Sequence, residues 1–319
     1  MSNYFFEVLR PGINTTFQDR GRFHMQHLGV TPGGCMDLDL FSIANALVRN
    51  SFNEGILEFA YQGPMLKLIK GKTKIAITGN VIFQIIKKNN EVIEGRCNRT
   101  YALEEGDQID ILSTRESVYG YLAIEGGFNL KPFCKSVSIL SRAQIGPNDG
   151  KKIKSNDKIS FKINSKNKNI FSANFTRKNK NKIRVLQGPQ FDYFSKESQK
   201  NFFSKEYQIS NLTDRMGMRM EGSVMKNIVN TNIRSEGITK GAIQVPADGQ
   251  PIILLTDYPT IGGYPKIANV TSVDYNLLIQ KKPGEKIFFE LIKLHEAEQL
   301  YKEHLNSISK IIKNIKEIN

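Results

Sequence analysis

The sequence predicts a mainly β protein of two domains with a few short helices. Three observations predict it. Short runs rich in β-branched and aromatic residues recur from Glu54 to Ile124, each ended by turn residues such as Gly63-Pro64, Gly71, Gly79-Asn80 and Gly126-Gly127. That spacing belongs to a barrel or sandwich. A stretch rich in Asn, Lys and Ser at 165–182 then separates two such series and reads as a linker. Finally, 319 residues can supply two cores of ordinary size, and 39% hydrophobic against 24% charged residues is ordinary for a globular chain.

Residues 4–9 alternate weakly and stop at Pro11-Gly12, a short strand and turn. Thr16 to Arg22 is polar and glycine-punctuated, a loop or capped turn. Asp37 or Asp39 is placed to cap a helix from Leu38 to Arg49, on which Phe41, Ala44, Leu47 and Val48 share an apolar face. Strands are expected at 54–59, 65–69, 74–78, 81–87, 101–103, 108–112, 119–124 and 158–163, completing a first domain over 1–164. A second domain, 183–293, opens at Ile183 and carries a short helix near 191–203. Within it, Ile252 to Leu255 reads as a strand buried on both faces, entered by an Asp248-Gly249 turn. That strand delivers Asp257 and Thr260 to the Gly262-Gly263 pair, where a missing Cβ admits close approach. In the tail, 294–319, Leu300, His304, Leu305, Ile308, Ile311, Ile312, Ile315 and Ile318 recur at three and four, an amphipathic helix packing on its own domain or on a partner helix.

Charge and composition exclude several classes. The balance of 45 basic against 31 acidic residues gives +14, but the lysines are scattered, as in Lys87-Lys88-Asn89-Asn90, without an aromatic-interleaved basic motif. Nucleic-acid binding is therefore not expected, and attraction of small anionic substrates is the milder consequence. Cys35, Cys97 and Cys134 are too far apart for a metal pair or a disulfide framework. The four histidines lack zinc spacing, so no metal is expected; His24 and His27, near Arg22, are each either a proton carrier or merely exposed. Gly71-Lys72-Thr73 ends like a phosphate loop, yet position 66 is Leu and strands flank it on both sides. No signal peptide is visible and no apolar run approaches the ~18 residues that span a bilayer, so a cytoplasmic chain without membrane contact is expected.

A set of linked motifs carries a resemblance. In the second half these are Thr213-Asp214-Arg215-Met216-Gly217-Met218-Arg219-Met220-Glu221-Gly222, Ser235-Glu236-Gly237-Ile238, Ile243-Gln244-Val245-Pro246, Asp248-Gly249-Gln250-Pro251 and Gly262-Gly263-Tyr264-Pro265-Lys266-Ile267-Ala268. In the first half they are Gln18-Asp19-Arg20-Gly21-Arg22, Gly34-Cys35-Met36-Asp37 and Ala44-Asn45-Ala46-Leu47-Val48. Over roughly 4–292 the chain resembles the allophanate hydrolase subunit 2-like, biotin-dependent carboxyltransferase-like family. That family includes the C component of 5-oxoprolinase, the kinase-inhibitor antagonist proteins and the carboxyltransferase domain of urea carboxylase. The resemblance implies two cyclophilin-like β-barrel domains. It further implies a share in the ATP-dependent hydrolysis of 5-oxo-L-proline to L-glutamate, together with two partner chains, one like the smaller B component of 5-oxoprolinase and one like its A component. ATP comes from the resemblance alone, and no bound biotin is expected. Two other classes stay open: a regulatory module that sequesters a smaller partner chain, and a biotin-dependent carboxyltransferase acting on a urea-like acceptor.

Opening an unstrained amide on a carboxylate-bearing substrate needs a guanidinium, acid/base groups and donors aimed at developing negative charge. Arg215, Glu221, Glu236 and Asp257 are the candidate catalytic residues. Arg219, Ser235, Gln244, Gln250, Thr260, Gly262, Gly263, Tyr264 and Lys266 are candidates for substrate binding, joined from the first domain by Gln18, Asp19, Arg22 and Asp37. Arg215 and Arg219 are four apart and share a face in either regular structure. Gln244 and Gln250 are donor–acceptors suited to an amide edge. The chain also departs from the family's pattern. Pro259-Thr260-Ile261 stands where Gln-Thr-Thr is usual, and Val137 where an arginine is, so polar contacts are lost at both points.

Overall fold

In the computed structural model, which describes residues 4–162, 169–229 and 232–318, burial alternates along strands such as Phe5–Arg10, Met65–Lys70 and Val81–Ile86, whereas Ile56–Ala60, Thr73–Thr78 and Tyr119–Ile124 are buried throughout. The chain divides into two units. The first comprises Met1–Arg22, Gly33–Thr176 and Ile308–Asn319; the second comprises Phe23–Pro32 and Arg177–Ser307.

In the first unit, a six-stranded sheet runs in the order Lys158–Ser160, Phe5–Arg10, Met65–Lys70, Gln108–Thr114, Val81–Ile86, Val92–Glu94. A seven-stranded sheet runs Thr16–Gln18, Ile56–Ala60, Tyr119–Ile124, Thr73–Thr78, Arg99–Leu103, Ile170–Ser172, Lys316–Ile318. Phe6, Val8, Leu66, Leu68, Ile109 and Ile111 from the one, and Leu57, Phe59, Ile75, Ile77, Leu122 and Ile124 from the other, form a single core. Each such side chain contributes about 1.5–3 kcal/mol on burial. Asp37 caps the helix Leu38–Leu47, accepting from the Leu40 N–H at 3.3 Å, and Phe41, Ile43, Ala44 and Leu47 bury its apolar face.

Three expectations change here. Thr16–Gln18, expected in a loop or capped turn, pairs as a strand with Ile56–Ala60. The stretch expected as a linker holds a strand, Ile170–Ser172, because Phe171 buries its ring and Arg49 stacks its guanidinium 4.2 Å above it. The expected strand end at Ile163 and residues 165–168 lie outside the described residues. The tail helix is real but spans Leu294–Lys313 only. Ile315 and Ile318 leave the helical face: Ile315 is buried and Lys316–Ile318 pairs antiparallel with Ile170–Ser172. The edge of the first unit's sheet, with backbone donors and acceptors to satisfy, outcompetes helical continuation.

The second unit is built on a closed seven-stranded barrel in the order Lys182–Gln187, Lys266–Val270, Ala242–Gln244, Ile252–Leu254, Gly217–Gly222, Tyr207–Thr213, Lys286–Leu291. It closes by a parallel pairing of Lys182–Gln187 with Lys286–Leu291. Phe202, on the helix Lys196–Ser204, stacks on Phe289 at 4.5 Å inside a core that includes Ile183, Val185, Tyr207, Ile243 and Ile253. Ile253, Leu254 and Leu255 are buried as the apolar run predicts, but Ile252 is half-buried and the strand is Ile252–Leu254; Gly249 takes φ +73° in the turn before it. Arg184 fixes the helix Ser272–Leu278 to the barrel, donating to Asp274 from Nε at 2.8 Å and from its terminal nitrogen at 2.5 Å. No helix among the described residues is long and apolar enough to cross a membrane.

Candidate functional site

Beside the barrel stands a minimal two-stranded ribbon, Glu236–Gly237 paired with Ile261–Gly262, in which Glu236 lies opposite Gly262. On the adjoining barrel strands Gln244 lies opposite Lys266. These registers bring Glu236, Gln244, Gly262 and Lys266 into one cluster. The Lys266 ammonium is buried to 7% exposure and donates to Glu236 Oε1, whose side chain is 43% exposed. Gln190 Nε2 donates to the same Oε1 at 2.9 Å, while Gln190 Oε1 accepts the Lys266 backbone N–H at 3.2 Å. Gln190 thus ties the carboxylate to the strand that carries its counter-ion. Gly188 makes this reach possible: a Cβ there would meet the Lys266 carbonyl oxygen at 2.3 Å. The hydrogen bond from Lys266 is the main force holding the Glu236 carboxyl below the usual carboxylate range; partial burial opposes it and the bond from Gln190 adds to it.

Gln244 is 5% exposed, and its Nε2 has no hydrogen-bond partner among the described residues. A Cβ on Gly262 would lie 2.6 Å from that nitrogen, so only glycine leaves its surroundings open. On Gly263 a Cβ would approach the Ile233 carbonyl at 3.2 Å and Ser235 Oγ at 3.4 Å, which places Ser235 at the same rim. Both glycines therefore act through close approach; neither adopts positive φ. Tyr264 is 40% exposed, and Thr260 gives its carbonyl to the Ile238 N–H at 3.3 Å.

The other candidates are placed elsewhere, in structural pairings. Arg215 grips Asp257 with two parallel bonds, from Nε at 2.8 Å and its terminal nitrogen at 2.9 Å, so the expected catalytic pair neutralises itself. Arg219 pairs with Asp248. Gln250 spends its amide on the backbone of Gly222, accepting from the N–H at 2.9 Å and donating to the carbonyl at 3.3 Å. That side chain pairs with the backbone at the C-terminal end of the Gly217–Gly222 strand. Glu221 is exposed on the same strand, opposite Gln208.

In the first unit Asp19 and Asp37 are spent internally, while the buried Gln18 donates from Nε2 but keeps its Oε1 without a hydrogen-bond partner among the described residues. Asp19 is buried and accepts four bonds: from Gly21 N–H at 2.8 Å, Ser136 Oγ at 2.7 Å, Ser138 Oγ at 2.5 Å and Val137 N–H at 2.8 Å. Gln18 donates to Thr16 Oγ1 and the Ile139 carbonyl, Arg22 donates to the Ser138 carbonyl, and Asp37 is the helix cap. Val137 therefore serves through its backbone, and its side chain lines a cavity of about 290 Å³ with Gly55 and Leu130. Sequence reasoning missed Glu58 and Tyr121, which are buried together: Tyr121 donates to Glu58 Oε2 at 2.7 Å and accepts the Asp37 N–H at 2.7 Å. Burial first, and then the neighbouring Glu58, Cys35 and Asp37, push the Tyr121 hydroxyl well above its ordinary range. It also missed Gln190, whose only signal was its place after the Gly188-Pro189 turn.

A family model, carboxyltransferase domain, subdomain A and B, matches residues 28–291. The chain belongs to this carboxyltransferase-domain family. Among curated members it is 30% identical over 307 residues to the C component of the Escherichia coli 5-oxoprolinase, covering 94% of this chain and 97% of that one. The protein of the same name from Haemophilus influenzae is also 30% identical, covering 96% and 98%. Of solved members, the Kluyveromyces lactis urea carboxylase superposes with a TM-score of 0.87 at 26% identity, covering 98% of this chain but 29% of that one. The carboxyltransferase-domain fold is thus shared with enzyme components of matching length and with segments of far longer enzymes.

Proposed function

We propose that this chain is one component of an ATP-dependent amide or lactam hydrolase, 5-oxoprolinase, converting 5-oxo-L-proline, ATP and water to L-glutamate, ADP and phosphate in the cytoplasm. It acts in complex with two partner chains, one like the smaller B component of 5-oxoprolinase and one like its A component. The observation that carries this reading is the end-to-end match to relatives named as the C component of 5-oxoprolinase, 97% and 98% of whose length is covered, against 17% of the urea amidolyase of Lachancea kluyveri. Glu236, Lys266, Gln190 and Gln244 supply the acid/base and hydrogen-bonding groups that such chemistry uses. Gly71-Lys72-Thr73 does not fit ATP: it joins two strands, and Thr73 gives its hydroxyl to the Lys74 carbonyl. The nucleotide step is accordingly assigned to the assembled complex.

The test is ATP-dependent glutamate release from 5-oxoproline by the chain mixed with its two partner chains. Activity that falls at least a hundredfold in Glu236→Ala, with the complex still assembled, supports the reading. A stable complex that releases no glutamate refutes it. The superposition on the K. lactis urea carboxylase favours one second reading, carboxyl transfer to a urea-like acceptor with biotin on another chain. Carboxylation of urea by the chain plus a biotinylated carrier, in the absence of 5-oxoproline turnover, selects it.

A further inference from the structure

Two groups at the ribbon have unused hydrogen-bonding capacity, and they are of opposite kind. Both internal bonds to Glu236, from Lys266 and from Gln190, fall on Oε1, and Oε2 accepts none from the described residues. Gln244 Nε2, nineteen-twentieths buried by the 5% exposure of its residue, donates to none of them. Buried donors are ordinarily satisfied, so an unspent one at Gln244 is a place where a ligand's acceptor fits. Both groups border Gly262: Glu236 is its cross-strand partner, and Gln244 touches the space its missing Cβ leaves.

We propose that Glu236 Oε2 and Gln244 Nε2 together read one edge of a cis amide, accepting its N–H and donating to its C=O. A lactam, a ureide or a primary carboxamide shows N–H and C=O on the same side. The trans amide of a linear peptide shows them on opposite sides and can satisfy only one of the two groups. Charge excludes the alternatives. A carboxylate ligand would suit Gln244 but meet the Glu236 carboxylate, and a cation would suit Glu236 but leave Gln244 facing another donor beside the Lys266 ammonium. A neutral cis amide completes both groups without adding charge. Gln190 is a positioning residue, since it holds Oε1 and so presents Oε2. This assignment rests on the reading of the chain as part of an amide-handling enzyme and names the recognition edge within it.

Three small probes separate the possibilities, each titrated into the chain and into the assembled complex by ligand-observed NMR. 2-Pyrrolidinone has both N–H and C=O, N-methyl-2-pyrrolidinone has only the acceptor, and pyrrolidine is a cation. We expect 2-pyrrolidinone to bind about tenfold or more tightly than its N-methyl analogue, the loss that follows from removing one hydrogen bond to a charged acceptor. Glu236→Gln should abolish that discrimination, and Gln244→Leu should weaken both lactams alike. Equal binding of the two lactams, a preference for pyrrolidine, discrimination that survives Glu236→Gln, or binding of no probe overturns the proposal. Measuring 5-oxoproline turnover by the same complex keeps the two ideas apart. Lactam discrimination without turnover refutes the 5-oxoprolinase reading alone, and turnover without discrimination refutes the edge assignment alone.

Discussion

Removing either partner of the Glu236–Lys266 pair should have unequal consequences, because the two differ in exposure. The Lys266 side chain is 7% exposed and that of Glu236 43%. Breaking a fully buried pair costs about 3–5 kcal/mol through the charge left behind. An exposed pair is worth about 0–1 kcal/mol. Glu236→Gln leaves the buried ammonium uncompensated and should cost about 2 kcal/mol, between those limits. Lys266→Met leaves a carboxylate that water can reach, and the methionine packs where the lysine stem lay, so about 1 kcal/mol or less is expected. The assay is urea unfolding followed by circular dichroism, since the chain has no tryptophan. At an m-value of about 2 kcal/mol/M, the first substitution lowers the midpoint by about 1 M and the second by about half that or less. Acid should narrow the gap. The depressed Glu236 carboxyl stabilises the fold above its unfolded value of about 4.3, and that contribution is lost as pH falls through the lower folded value. Glu236→Gln has nothing to lose there, so wild type and variant converge at low pH. If Lys266→Met proves the more destabilising, or the gap is unchanged in acid, the argument from asymmetric burial is wrong.

Gly262→Ala places a Cβ 2.6 Å from Gln244 Nε2, so lactam binding should fall more than about tenfold while the unfolding midpoint stays within about 0.5 M; unchanged binding would show that Gln244 does not face the ligand. Gln250→Ala removes two bonds to the Gly222 backbone and should cost about 1–2 kcal/mol in unfolding, with turnover by the stable fraction retained. Asp19→Ala orphans two serine hydroxyls and two backbone N–H groups, a loss of at least about 3 kcal/mol, read as reduced soluble yield and a lowered midpoint.

Much of the fold was legible because its signals are local. Alternation, turn glycines and the Asp37 cap place most strands and the first helix within a few residues, since period-2 burial and capping depend on near neighbours. What was not legible depends on distant partners. Ile315 and Ile318 continue the helical periodicity of the tail, and nothing near them announces that Ile170–Ser172, far away in sequence, offers a strand to pair with. In the same way the 165–182 stretch reads as linker from composition, although Phe171 alone suffices to anchor part of it.

The candidate site was half legible, and the reason lies in how lone pairs and protons are spent. Asp19, Asp257 and Glu236 are the same chemical group at motif positions that read alike. Asp19 receives four donors, and Asp257 gives one oxygen to each arm of the Arg215 fork. Glu236 receives two donors on a single oxygen and keeps the other available. The glutamines divide the same way: Gln250 uses both ends of its amide on Gly222, whereas Gln244 is buried with a donor unspent. Residue type selects which side chains are able to do chemistry. The count of bonds already made narrows which of them still can: Asp19 is spent on its own loop, whereas Gln18 Oε1 and Gln244 Nε2 are buried without a hydrogen-bond partner among the described residues, and Glu236 Oε2 accepts nothing from them.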